Sequence, residues 1–525
     1  MNFERIKKIL GTLFLSYKLS PEEKKFIELN QKHWSHRHNG EVGILVEGFL
    51  DSPTSIVEKS RLANAAREAS GLNVKVLVRG MKQKASNVIP IYRSFGINNF
   101  FCWWLNYINP SVVFSSLCSF FYVLLCLKSG SKLVDYRKDD VLIGDLIYDS
   151  LIRNIPNSYT IDKLSLFSHG RILFRSLCFF YGNKSILKKN DIRFVVSSHN
   201  VYAEYGMLCR QAHARGATIL LKDMDVYKMY TPQMNINEHF LKADKKVIDE
   251  AFRCSDLTSE ISYYQSRVLG ISTQIDIQNA FKNKKTYTKK ESLRLHSGFS
   301  DEKICVFVMA HAFSDAPHVG EGLLFKDYYD FLEKTLITLN SNSDINCFVK
   351  AHPSSYMWGE KGGVEAIVER NKLHQVCILP MDYNTNSIID IADVIVTAKG
   401  TAGLEFSCAG IPAITAGKGY YHGFGICFEP ESICEFYKML SEIKNIKRLD
   451  DDRVRMALIV LYHSFNNLFH SDVLPKVQIR PGDNYQFLFR GKFAEMVRNL
   501  ENGILMKDDF YNMVLSDIRF ALYEK

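Results

Sequence analysis

The chain reads as an α/β protein of two units, each a parallel sheet with helices between its strands. Three observations predict this. Short β-branched or apolar runs recur, among them Val42–Val46, Val74–Val78, Ile304–Met309, Cys347–Lys350 and Val394–Val396, and most stop at a polar or glycine turn. Segments of helical period, several stopped by a glycine, separate them. The 525 residues also exceed what a single core holds.

Composition narrows the class. Hydrophobic residues make up 46% and charged residues 23%, which suits a folded chain with a large core. The net charge of +9 favours anionic partners: nucleotide-sugars, a phosphorylated lipid acceptor or a membrane surface. No basic stripe interleaves with aromatics, so nucleic acid is not expected. Twelve cysteines lack any CxxC pair and several lie in apolar runs. That predicts free cysteine in a reducing compartment, with neither disulfides nor a zinc site.

In chain order, residues 1–40 form an N-terminal helical segment. Phe3, Ile6, Leu10, Leu13, Phe14 and Tyr17 recur at helical spacing among Arg5, Lys7 and Lys8, and either pack on the fold or lie on a membrane surface. Residues 41–290 form the first unit. Strand Val42–Val46, helix Ser55–Ala69 stopped by Gly71, and strand Val74–Val78 make one βαβ unit. Glu47 and Asp51 follow the first strand, as a catalytic pair or as a capping loop. The uncharged run Phe100–Leu127 reads as two helices broken at Pro110, buried or lying on a membrane face. Asp145 and Asp149 share a helix face, for acid–base work or for capping and ion pairing. Strand Arg193–Val196 ends near His199, helix Tyr202–Ala214 is stopped by Gly216, and strand Ala217–Leu221 leads to Asp223. His199, Glu204 and Asp223 thereby come from adjacent strand ends. Asp223-Met-Asp225 also fits the DxD metal element, but βαβ units on both sides argue against a metal role. Residues 232–300 read as mostly helical, with a lysine-rich linker at Lys282–Lys290.

Residues 300–470 form the second unit, and its chemistry concentrates at three strand ends. Val394–Val396 runs into Thr397-Ala-Lys399-Gly400-Thr401-Ala-Gly403, then a helix from Leu404 to Ala409 and a strand Ala413–Thr415. A strand, glycine turn and helix start offers backbone N–H groups to an anion, or is only a tight βα turn. Glu405 is expected in the first helical turn, placed to accept from a ribose. Cys347–Lys350 runs into His352, Pro353 and Ser354, where lysine supplies a point charge and histidine an N–H donor for a phosphate. Ile304–Met309 runs into His311 and Asp315 and on to His318. Ligands of open α/β sheets bind outside the carboxyl ends of the strands, so these loops are expected to converge on one crevice. Residues 471–525 are expected to carry terminal helices that cross back to the first unit.

His352-Pro353-Ser354, the Gly400-Thr401-Ala402-Gly403-Leu404-Glu405 turn, Gly410-Ile411-Pro412 and Gly417–Tyr421 resemble the bacterial capsule-polysaccharide synthesis proteins over about residues 300–430. That resemblance implies a GT-B-like fold, two Rossmann-type domains facing a central cleft. It also implies a metal-independent glycosyltransferase that uses a nucleotide-sugar as substrate and has no cofactor. The donor site is expected at His311, Asp315, Lys350, His352, Ser354, Lys399, Gly400, Thr401 and Glu405. Asp149, His199 and Asp223 are the catalytic candidates on the acceptor side. The acceptor is a growing polysaccharide or lipid-linked glycan, and the place is the cytoplasm, peripheral to the inner membrane. The implied donor is a CMP-activated acid sugar such as Kdo. A UDP-sugar 2-epimerase, a CDP-glycerol-type polyol-phosphate transferase and a non-catalytic polysaccharide-binding assembly protein remain the alternatives.

Overall fold

The computed structural model describes residues 19–34, 40–50, 52–80, 88–223, 226–254, 256–271, 275–281, 284–466, 471–475 and 492–523. The expected helix over Met1–Tyr17, Asp51 and Asp225 lie outside them.

The first unit runs through β1 (Val42–Gly48), β2 (Asn73–Val78), β3 (Asn99–Cys102), a two-residue antiparallel pair β4 (Arg137–Lys138) and β5 (Val141–Leu142), then β6 (Phe194–Ser197), β7 (Thr218–Asp223) and β8 (Val226–Tyr230). The main sheet has the order β3-β2-β1-β6-β7-β8, parallel except for β8. The second unit holds β9 (Ile304–Met309), β10 (Ile345–Lys350), β11 (Val376–Ile378), β12 (Val394–Thr397) and β13 (Ala413–Thr415), all parallel in the order β11-β10-β9-β12-β13. Both sheets therefore reverse direction of growth beside their first strand, which makes two switch points: β1/β6 and β9/β12. The expected two-unit parallel α/β architecture is present.

Local chemistry sets the elements. Helix Pro53–Ser70 opens with Pro53 after the N-cap Ser52 and closes at Gly71, whose φ of 73° lets its N–H reach Arg67 O. The central strands β1, β6, β9, β10 and β12 are buried on both faces, which is why they read as apolar runs rather than alternating ones. The Phe100–Leu127 run is more varied than two helices: β3, a 3₁₀ turn Trp103–Ile108, then helix Pro110–Tyr122 capped by Asn109.

The terminal helix Asp509–Tyr523 packs on the first unit rather than the second. Phe510, Tyr511, Val514, Leu515 and Ile518 join Ile44, Val46, Val74 and Val76 in one core. The guanidinium of Arg61, 1% exposed, ties the two together: it donates to Met506 O at 3.0 Å and pairs with Glu58 and Asp508. Removing it leaves two carboxylates with a lost partner in a dry site. Arg61→Ala is expected to lower stability by about 3–5 kcal/mol, with urea unfolding as the measurement.

Candidate active site at the seam between the two sheets

The carboxyl ends of β9 and β12 meet the first unit along one seam. After β12, Gly400 caps helix Thr401–Ser407. The turn needs glycine at two close approaches: a Cβ on Gly403 would lie 2.5 Å from Tyr421 Oη, and one on Gly400 3.1 Å from His311 Cε1. Tyr421 is fully buried and donates to Gly400 O at 2.7 Å, which pins the turn.

His311, after β9, stacks on Tyr328 with ring centroids 4.0 Å apart. Its Nε2 accepts from Lys399 N at 3.3 Å, so the proton of the neutral ring sits on Nδ1. Burial, then the charges of His352 and Lys399, pushes its pKa well down. His352 therefore lies on the same side as His311 and Gly400, as expected. Lys399 is buried, donates to Val319 O at 2.5 Å, and is pushed down to about 8 by burial, with Asp149 and Asp145 opposing. His239 is pushed down to about 3 by burial and by Lys399. Its Nδ1 accepts from Leu241 N at 3.1 Å.

From the first unit, helix Gly144–Asn154 brings Asp149 to this group. Asp149 Oδ1 lies 2.6 Å from His318 Nδ1, and Oδ2 accepts from His318 N at 3.3 Å. His318 Nε2 donates to Lys326 O at 3.0 Å, so with Nδ1 turned to a carboxylate the ring suits its doubly protonated form. Burial alone would depress His318, but Asp149 outweighs it and holds the ring above its ordinary value. Burial pushes the Asp149 carboxyl up, with His318 opposing. A small crevice opens beside the pair, lined by Asp149, Asn200, Arg210, Glu238, His318 and Gly320 among others. Along its flank the units are locked: Tyr148 Oη and Thr160 Oγ1 both donate to Asp327, the latter at 2.6 Å. Two non-glycine residues with positive φ meet in this seam, Tyr202 (58°) and Ala316 (43°). Backbone held there costs about 1–3 kcal/mol per residue, and such strain clusters at functional sites.

Several expectations are corrected. Lys350 does not join Lys399: its ammonium is buried and donates to Tyr383 O at 2.7 Å, over the Tyr383 ring. Ser354 is buried and accepts from Asn279 Nδ2 at 3.0 Å. Glu405 lies in the second helical turn, since the helix starts at Thr401, and Oε1 takes both Nη2 and Nε of Arg267 at 2.6 and 3.1 Å. Asp315 is exposed at the mouth, near Tyr202 and Tyr328. The three catalytic candidates have these places. Asp149 turns to His318; His199 packs on Tyr205 at 4.1 Å; Asp223 ends β7, its backbone paired with Val226 in the hairpin to β8. Glu204 pairs with Arg79 and Arg175. Asp145 bonds Arg210 at 2.6 Å, and Glu47 bonds Lys59 at 3.1 Å and Ser198 Oγ at 2.8 Å, so both serve structure. The sequence alone assigns no role to His318, His239 or Arg267. A second histidine seven residues past His311 in the same loop was the available signal for the first; the others carried none.

Residues 199–444, just under half of the chain, match the family described as "Capsule polysaccharide biosynthesis protein". The resemblance read over residues 300–430 therefore holds and extends upstream to His199. Among solved structures the chain is similar to the KpsC β-Kdo 2,4-transferase of Thermosulfurimonas dismutans, at 14% identity and TM-score 0.32, over 51% of this chain and 79% of that one. It is similar to a glycosyltransferase from Rickettsia africae ESF-5, at 12% identity and TM-score 0.26, over 91% and 99%. It is also similar to a UDP-GlcNAc 2-epimerase from Neisseria meningitidis bound to UDP-GlcNAc, at 8% identity and TM-score 0.23, over 81% and 99%. Among curated protein sequences none matches significantly.

An anion beside Lys399 is held by the protonated amine, so affinity falls as pH rises through about 8. Titration with inorganic pyrophosphate across that range is expected to show this midpoint. Lys399→Arg should remove it and Lys350→Met should leave it.

Proposed function

We propose that the chain is a glycosyltransferase of surface-polysaccharide assembly, moving a sugar from a nucleotide donor to a polysaccharide or lipid-linked acceptor. One observation carries this reading. A buried lysine, a neutral histidine and an amide-bearing turn from the second unit stand with an engaged carboxylate of the first. The family match over 199–444 supports the process.

The chemistry is displacement at an anomeric carbon, with positive charge building on the sugar and negative charge on the leaving phosphate. Lys399 and the N–H groups after Gly400 meet the leaving charge, so the reading gives no step to a metal. His311, neutral, contributes an N–H without adding like charge beside Lys399. Asp149 is the general base toward the acceptor hydroxyl. Its raised pKa brings it closer to working pH, and His318 positions it until the acceptor enters. The finer assignment of the donor is a CMP-activated acid sugar such as Kdo. It draws on the capsule-protein resemblance and on the cationic side chains at the seam.

Thermal shift against CMP, UDP, GDP and CDP tests the donor site. A nucleotide at 100-fold its Kd adds about 2.7 kcal/mol to the folded state. One of the four is expected to raise the Tm, and Lys399→Ala or His311→Ala to remove most of that rise. Asp149→Asn is expected to keep the shift and lose transfer by about 10²–10⁴-fold, read by product formation with an acceptor glycan. No shift with any nucleotide, or an unchanged one in Lys399→Ala, overturns the reading.

A further inference from the structure

The first unit exposes one large apolar face that the seam does not use. After β3, the 3₁₀ turn carries Trp104 and Ile108, and helix Pro110–Tyr122 with the turn after it carries Phe114, Phe121 and Leu125, all exposed. Phe167, 98% exposed, stands at the start of helix Leu166–Lys189, against which helix Pro110–Tyr122 packs. Val112, Ser116, Ser119 and Phe120 form the buried stripe of that helix, continued by Val123 in the turn after it, so Phe114 and Phe121 face outward by geometry. A contiguous apolar patch of this kind marks a docking surface.

We propose that this face seats in the headgroup region of an anionic lipid bilayer. A transmembrane span does not fit. The helix runs on through a π turn to Leu127, 18 residues or about 27 Å at 1.5 Å each, nearly a core of about 30 Å by length alone, but a stripe along it from Val112 to Val123 is buried in the fold and not open to lipid. Charge complementarity selects the occupant. Lys128 follows the apolar stretch directly, Lys163 is paired to Ser129 beside it, and Arg171 sits one turn after Phe167 on the same helix face. Lys132 adds a fourth cation on the next helix. These four are exposed and make no ion pair among the described residues. Of the neighbouring carboxylates, Asp162 is taken by Lys326 and Asp139 by Lys184, while Asp135 and Asp140 face solvent. An uncharged aromatic face with tryptophan at one end and unpaired cations at the other is what an interfacial element presents to lipid.

The face also starts at the right place. Trp104 N donates to Arg79 O, at the carboxyl end of β2, and Arg79 shares Glu204 with Arg175. The lipid-facing element thus grows from the same sheet end as the seam.

Flotation of the full chain with phosphatidylcholine vesicles, with and without phosphatidylglycerol, tests this. The protein is expected to float with the anionic vesicles, and added salt to weaken it. The variant Phe114→Asp/Phe121→Asp/Phe167→Asp is expected to lose binding by about tenfold or more, and Lys128→Glu/Lys163→Glu/Arg171→Glu to lose the salt-sensitive part. Circular dichroism and nucleotide shift on the same variants report fold and seam separately from lipid. No flotation, or flotation unchanged in both variants, overturns the proposal. So does light scattering that shows a dimer dispersed by the phenylalanine changes without any vesicle binding.

Discussion

Asp149 and His318 are the constraint on which the seam depends. A carboxylate buried this deeply is tolerated only with partners, and among the described residues its hydrogen-bond partners come from one residue of the other unit: a ring nitrogen and a backbone N–H. His318 in turn spends its second ring nitrogen on Lys326 O. The loop from His311 to Lys326 is thereby held at its middle. Ala316 at positive φ, two residues before His318, is strain that such over-determination sustains.

Around that contact the protein sorts its titratable groups by environment. His311 and His239 are driven neutral by burial and by the cation of Lys399, whereas His318 is driven charged by a carboxylate. The same residue type thus supplies neutral N–H donors on one side and a cationic clamp on the other. Lys399, depressed to about 8, is poised to gain charge stability from any anion that enters. Glu47–Lys59 and Arg61–Glu58 are equally buried but tie parts of the first unit to one another, Glu47 also to Ser198 and Arg61 also to Asp508.

The two sheets contribute unequally. The second carries the compact turn and its cations, and its strand ends are close together because β9 and β12 are neighbours. The first carries Asp149 on a helix rather than at a strand end, and devotes its long excursion after β3 to an outward apolar face. On the proposed reading, sheet edges and strand ends are divided between holding a small anion and meeting a large surface.

The backbone plan was legible in the sequence. Buried parallel strands must be apolar on both faces, so Ile304–Met309 and Ala413–Thr415 were bounded without help from tertiary contacts. Gly71, Gly216 and Gly410 marked element ends because only glycine adopts their positive φ freely. The convergence of His311, His352 and Gly400 followed from strand order. Tertiary structure alone decided where each charge went. Lys350 turned to Tyr383, Glu405 to Arg267 and Asp149 to His318, partners 33, 138 and 169 residues away. A strand end or helix turn fixes where a side chain starts. Which neighbour neutralises it depends on what the fold brings within about 3 Å, and no local pattern encodes that distance.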